Sequence, residues 1–72
     1  MARLPVLRGQ EIINALAKVG YYKTRQRGSH IRLECQGKKS ITVPNHTVGR
    51  GLLRKMLRDV SLTLEEFQKL IE

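Results

Sequence analysis

Arg25-Gln26-Arg27-Gly28-Ser29-His30-Ile31-Arg32-Leu33-Glu34-Cys35 reads as a turn and the strand that leaves it. Arg27-Gly28 marks the turn of a hairpin, and from Ser29 to Cys35 the residue types alternate. Successive side chains of a strand point to opposite faces. Ile31, Leu33 and Cys35 therefore share one face and read as core. His30, Arg32 and Glu34 share the other and read as exposed. Imidazole changes charge near neutral pH, so His30 would stand as a titratable ring on an open face beside arginines.

The flanking segments build a sheet around this strand. Tyr21 to Gln26 reads as the preceding strand. Its alternation is poor, because Lys23 and Arg25 share a parity with Tyr21, and the aromatic pair and the turn carry the assignment. Gln36-Gly37-Lys38-Lys39 is a tight, basic turn. Ser40 to Val43 follows as a third strand with Ile41 and Val43 inward, and Pro44 ends it. Ahead of the sheet, Ile12, Ile13, Leu16 and Val19 recur at helical spacing before Gly20, which predicts a helix over Gln10 to Val19. Met1 to Arg8, with Pro5, is expected to be a frayed lead-in.

After the sheet, Asn45 to Gly49 is read as a connector holding His46. A helix is expected from Arg50 to Val60, with Leu52, Leu53, Met56, Leu57 and Val60 on its apolar face. Arg50, Arg54, Lys55 and Arg58 form a basic stripe on another side. Thr63 and Glu66 have the spacing of a capping box, and Leu62 and Phe67 that of a hydrophobic staple, opening a short helix over Leu64 to Ile71. The predicted fold is α+β: a three-stranded antiparallel sheet with helices on one face. The other face carries His30, Arg32, Glu34, Ser40 and Thr42 and is open.

Composition narrows the partners. At 72 residues the chain is expected to be one domain, 1–72, and a domain of this size buries only about 60% of its unfolded surface. Fourteen Lys and Arg against six Asp and Glu give a net charge of +8. Between Ile12 and Arg58 stand eleven basic residues and one acid, Glu34. Such a field favours a polyanion: nucleic acid, an anionic membrane or an acidic protein. Solubility alone is the plainer reading, since small domains commonly carry net charges of about 2–8. Cys35 is single, whereas small secreted domains usually carry several cysteines, so a reducing cytoplasm is expected. No apolar run reaches signal-peptide length or the roughly twenty residues of a membrane span.

The chemistry open to these residues is limited. No His, Cys or carboxylate group has metal-ligand spacing, and a two-metal nuclease needs clustered acids. A Ser-His-Asp triad lacks its acid, and Ser29 would point away from His30. Metal-free RNA cleavage remains. RNA supplies its own nucleophile, the 2′-hydroxyl. The enzyme supplies an acid or base, which a His near its ordinary pKa of about 6.5 can be, and cations for charge developing on the phosphate. His30 with Arg25, Arg27, Arg32 or Lys39 meets that inventory. The competing reading is that an exposed His on a strand is only a surface residue. His46 has three open roles: assisting His30, contacting phosphate or capping a turn, the last being ordinary Pro-Asn-His chemistry. Tyr21 and Tyr22 can stack bases, but at least one is needed in the core. The basic stripe of the second helix either tracks phosphates or is a solvated face.

Gly20-Tyr21-Tyr22, Arg25-Gln26-Arg27-Gly28-Ser29-His30, Ile41-Thr42-Val43-Pro44-Asn45-His46 and Gly51-Leu52-Leu53-Arg54-Lys55-Met56-Leu57-Arg58-Asp59 together resemble the HicA toxins of type II toxin–antitoxin systems. Gly-Ser-His with Val-Pro-x-His at this spacing carries the resemblance, and Lys23 departs from it, standing where an aliphatic residue is often found. The resemblance implies a fold like the double-stranded RNA-binding domain, α-β-β-β-α, with an extra C-terminal helix. It implies a ribosome-independent mRNA endonuclease with His30 catalytic, and a HicB-like antitoxin that covers the site. Arg25, Arg27, Gly28, Ser29, Arg32, Lys38, Lys39 and His46 are the residues expected to bind RNA. No metal, small-molecule cofactor or membrane is expected. The alternatives are a non-catalytic module that binds double-stranded RNA by shape and an adaptor whose charge meets an acidic protein.

Overall fold

The computed structural model describes residues 6–71; Met1 to Pro5 of the expected lead-in lie outside them. Strand β1, Leu7–Arg8, runs directly into helix α1, Gly9–Ala17. The Glu11 carboxylate accepts the backbone N–H of Arg8 at 3.0 Å, satisfying a donor the helix start would otherwise leave unpaired. Ile12, Ala15 and Leu16 are buried on one side of α1. Gly20 then takes φ +104, a left-handed conformation that costs glycine little. The turn returns the Tyr21 N–H to the Leu16 carbonyl at 3.1 Å. Val19 falls in this turn, beyond the helix that was expected to hold it.

The sheet consists of β2, Tyr22–Arg27, β3, His30–Glu34, and β4, Ile41–Pro44, antiparallel in that order with β3 central. Ile31 and Leu33 of β3 and Ile41 and Val43 of β4 are buried, as their alternation predicted. Cys35 is half-buried against the same core. Tyr21 precedes β2 rather than belonging to it. Its ring is 3% exposed and its hydroxyl donates to the Lys39 carbonyl at 2.8 Å. Burial, with the Cys35 thiol and the Asp59 carboxylate nearby, raises the phenol above its ordinary pKa.

Two segments expected to be irregular are paired. Strand β5, Thr47–Val48, lies inside the expected connector and forms a two-stranded ladder with β1. Strands of two residues show no periodicity, which is why the sequence did not reveal them. The ladder seats α1 tightly: the Gly9 N–H donates to the His46 carbonyl at 2.9 Å.

Helix α2, Arg50–Asp59, buries Leu53, Met56 and Leu57. Leu52, expected on that apolar face, is instead 41% exposed. Helix α3, Leu64–Ile71, opens on the predicted capping box. Glu66 Oε1 accepts the Thr63 N–H at 2.8 Å, and Thr63 Oγ1 accepts the Glu66 N–H at 3.1 Å. Phe67 is fully buried, and Lys18 Nζ donates to the Leu70 carbonyl at 2.6 Å, tying the ends of α1 and α3 together. The α-β-β-β-α order and the added C-terminal helix thus stand, with the small β1–β5 ladder as an addition.

Candidate nucleic-acid-cleaving site

A β-bulge decides which side chains share the outer face with His30. Tyr22 pairs with Glu34 and Lys23 with Leu33. Beyond Thr24 the pairs become Arg25 with Arg32, Gln26 with Ile31 and Arg27 with His30. Thr24 is the extra residue. Directly opposed residues share a face, so Tyr22, Arg25 and Arg27 all stand with His30, Arg32 and Glu34. In a regular strand of the same residues, with Thr24 paired, the arginines would have the opposite parity to Tyr22. The poor alternation of this segment therefore has a cause: its period is interrupted once. The inward side of β2, Lys23 and Gln26, is exposed, and Lys23 Nζ donates to Gln26 Oε1 at 2.7 Å. The helices do not cover this strand.

The turn that delivers His30 is two residues long, Gly28-Ser29, with Gly28 at φ +59. Glycine at the first central position suits the tight hairpin turns whose twist matches the flanking strands. The Ser29 carbonyl accepts the Asn45 N–H, so the hairpin end is fastened to the chain beyond β4.

Arg25, Arg27, His30, Arg32 and Thr42 line a shallow hollow of about 300 Å³. Arg25 and Arg27 carry no ion pair among the described residues. Arg32 Nε lies 3.9 Å from Glu34 Oε2, both well exposed, a geometry worth little in water. Three guanidinium groups thus stand around one imidazole, an arrangement able to hold a phosphate and to set a ring nitrogen beside it.

The other expected RNA-binding residues lie elsewhere. Lys38 and Lys39 follow Gly37 at the far end of the β3–β4 hairpin, and Lys39 Nζ is 3.5 Å from Asp59 Oδ1. His46 lines a different hollow, of about 360 Å³, with Arg8, Gln10, Asn45 and Thr47. His46 Nδ1 lies 2.9 Å from the Thr47 carbonyl. A carbonyl only accepts, so in this bond Nδ1 is the donor. Of the residues predicted, the structure brings Arg25, Arg27, His30 and Arg32 to one hollow, with Gly28 and Ser29 in the adjoining turn, while Lys38 and Lys39 lie at the other end of β3 and His46 lines a different hollow.

Thr42, which the alternation put on the open face with His30, was not counted among the site residues, yet it lines the hollow. No group of three or more His, Cys, Asp or Glu is placed to hold a metal ion among the described residues. No helix there is long and apolar enough to cross a membrane.

Residues 9–62 match the family model described as HicA toxin of bacterial toxin-antitoxin. Among solved structures, the chain is similar to a chain of a toxin-antitoxin complex from Streptococcus pneumoniae, with 30% sequence identity and a TM-score of 0.70. That alignment covers 76% of this chain and 97% of the other. No curated protein matches the chain at a significant level.

Proposed function

Since this chain belongs to the HicA toxin family, we propose that it is an endoribonuclease that cleaves mRNA without a metal and without the ribosome, using His30 as acid or base. One observation carries the reading: His30 is exposed inside a hollow whose other lining includes Arg25, Arg27 and Arg32. The arginines hold the scissile phosphate and stabilise the charge that grows on its oxygens as the bond breaks. The 2′-hydroxyl attacks the adjacent phosphorus and the 5′-oxygen of the next nucleotide leaves. His30 moves a proton at one of those two oxygens. DNA has no 2′-hydroxyl and is not a substrate by this route.

Gly28 and Ser29 contribute through the backbone of the turn that presents His30. Lys38, Lys39 and His46 contact RNA further along its path. A HicB-like antitoxin restrains the enzyme by covering the face around His30. An acidic surface on it would be drawn to a chain of net charge +8.

The test is cleavage of a defined single-stranded RNA in EDTA, by wild type beside His30→Ala. Cleavage by wild type only, leaving 2′,3′-cyclic phosphate ends, is the expected result. RNA bound but uncut by both proteins would make the chain a binding module. Equal cleavage by both would move the chemistry to another residue, with His46 next to be replaced.

A further inference from the structure

We propose that Tyr22 is a base-stacking platform, and that bound RNA runs as a single strand across β2 and β3 from the arginine hollow to this ring. The proposal rests on the RNA-cleaving reading and adds to it the path of the substrate.

The two tyrosines have opposite fates. Tyr21 is 3% exposed and its hydroxyl is engaged, whereas Tyr22 is 58% exposed. A large ring left in water on a sheet face needs a reason when the core of so small a domain is short of aromatics. The chain has two Tyr, one Phe and no Trp, and it leaves one of these rings outside.

The bulge at Thr24 gives that ring its neighbours. It places Tyr22 on the same face as Arg25 and Arg27, and the Tyr22–Glu34 pair lies at the opposite end of the sheet from the Arg27–His30 pair. His30 and Glu34 are separated by about 13 Å along β3. The face is therefore polarised. Toward the β2–β3 turn it carries Arg25, Arg27 and Arg32. Its other end carries an aromatic ring and the one acid on this face of β3, Glu34. Phosphates are drawn to the first end, and at the second the ring offers what every base can use. Cationic grooves with aromatic rings alongside are how proteins hold single strands, and the stacking tolerates any base. A paired helix keeps its bases stacked inside and offers none to Tyr22.

The experiment uses the full chain with His30→Ala, which binds without cutting, and a short single-stranded oligouridylate. Two tyrosines without tryptophan make intrinsic fluorescence a direct reporter, and the engaged, buried Tyr21 supplies a constant background. Tyrosine emission is expected to fall in step with binding. Tyr22→Phe should abolish that fall and keep the affinity, because the ring remains. Tyr22→Ala should weaken binding roughly tenfold or more. A fully paired RNA should bind without quenching. Binding that leaves emission unchanged, or an affinity equal in Tyr22→Ala, would overturn the assignment, leave the cleavage reading standing and point to a protein partner for the ring. No binding to RNA at any salt concentration would instead sink the cleavage reading and take this one with it.

Discussion

The carbonyl oxygen of Pro44 fills the space in which a side chain on Gly9 would begin, since a Cβ there would lie 2.0 Å from it. Both atoms belong to backbone held by β4 and by the β1–β5 ladder, so neither can step aside cheaply. The contact joins the start of α1 to the end of the strand that pairs with His30.

Gly9→Ala is accordingly expected to destabilise the protein severely, lowering Tm by about 10 °C or more. Thermal unfolding followed by circular dichroism would show it. A near-normal Tm would mean that α1 can shift away from Pro44.

Deletion of Thr24 is expected to be tolerated. It removes the unpaired residue and leaves every pairing from Tyr22–Glu34 to Arg27–His30 possible, with Arg25, Arg27 and Tyr22 still outward. The loss should stay within about 1 kcal/mol, or some 4–8 °C in Tm, and RNA binding should persist. An unfolded product would show that the twist supplied by the bulge is required by the sheet.

Arg25→Ala, Arg27→Ala and Arg32→Ala should each weaken RNA binding and flatten its salt dependence. One phosphate contact on a single strand is worth a slope of about 0.7. Lys39→Ala should flatten it less, because that ammonium group lies beside Asp59, away from the hollow. Equal slopes in all variants and wild type, measured from 50 to 200 mM salt, would remove this face from the RNA path.

The capping box of α3 gives a pH dependence of known sign. Hydrogen bonds from the Thr63 backbone and then its side chain hold the Glu66 carboxyl below its ordinary pKa. A lowered pKa in the folded state means that the stabilisation is complete above the unfolded value, about 4.3, and fades as pH falls through the folded value. The Tm difference between wild type and Glu66→Gln should therefore be constant near neutrality and close in acid. A difference that grew as the pH dropped would contradict the cap.

Much of this fold was legible because its central elements are periodic. His30 to Cys35 alternates cleanly, and β3 is covered by helices on one face only, so the exposure of His30 and Arg32 followed directly. The capping box of α3 was readable from Thr63 and Glu66 because both partners are local. The β1–β5 ladder was not readable, since a pairing of Leu7 with Val48 depends on contacts distant in sequence and on strands too short to show a pattern. The bulge, and with it which neighbours Tyr22 has, was illegible for a related reason: an insertion within one strand is defined only by the register of the next. The grouping of Lys39 with His30 failed because the two stand at opposite ends of a strand, which charge alone does not reveal.

Strand β2 is six residues long, lies at the edge of the sheet and is exposed along its whole length. An edge of that kind is a template on which a second chain can add a strand, the usual beginning of aggregation. Lys23, Arg25 and Arg27 put three positive charges on it, and the bulge at Thr24 bends its row of backbone donors and acceptors. The arginines proposed to bind RNA thus also put like charges on the edge where a second copy would pair. Neutralising them all to abolish the proposed cleavage would expose a sticky strand, so the variant meant for concentrated solution is better made at His30.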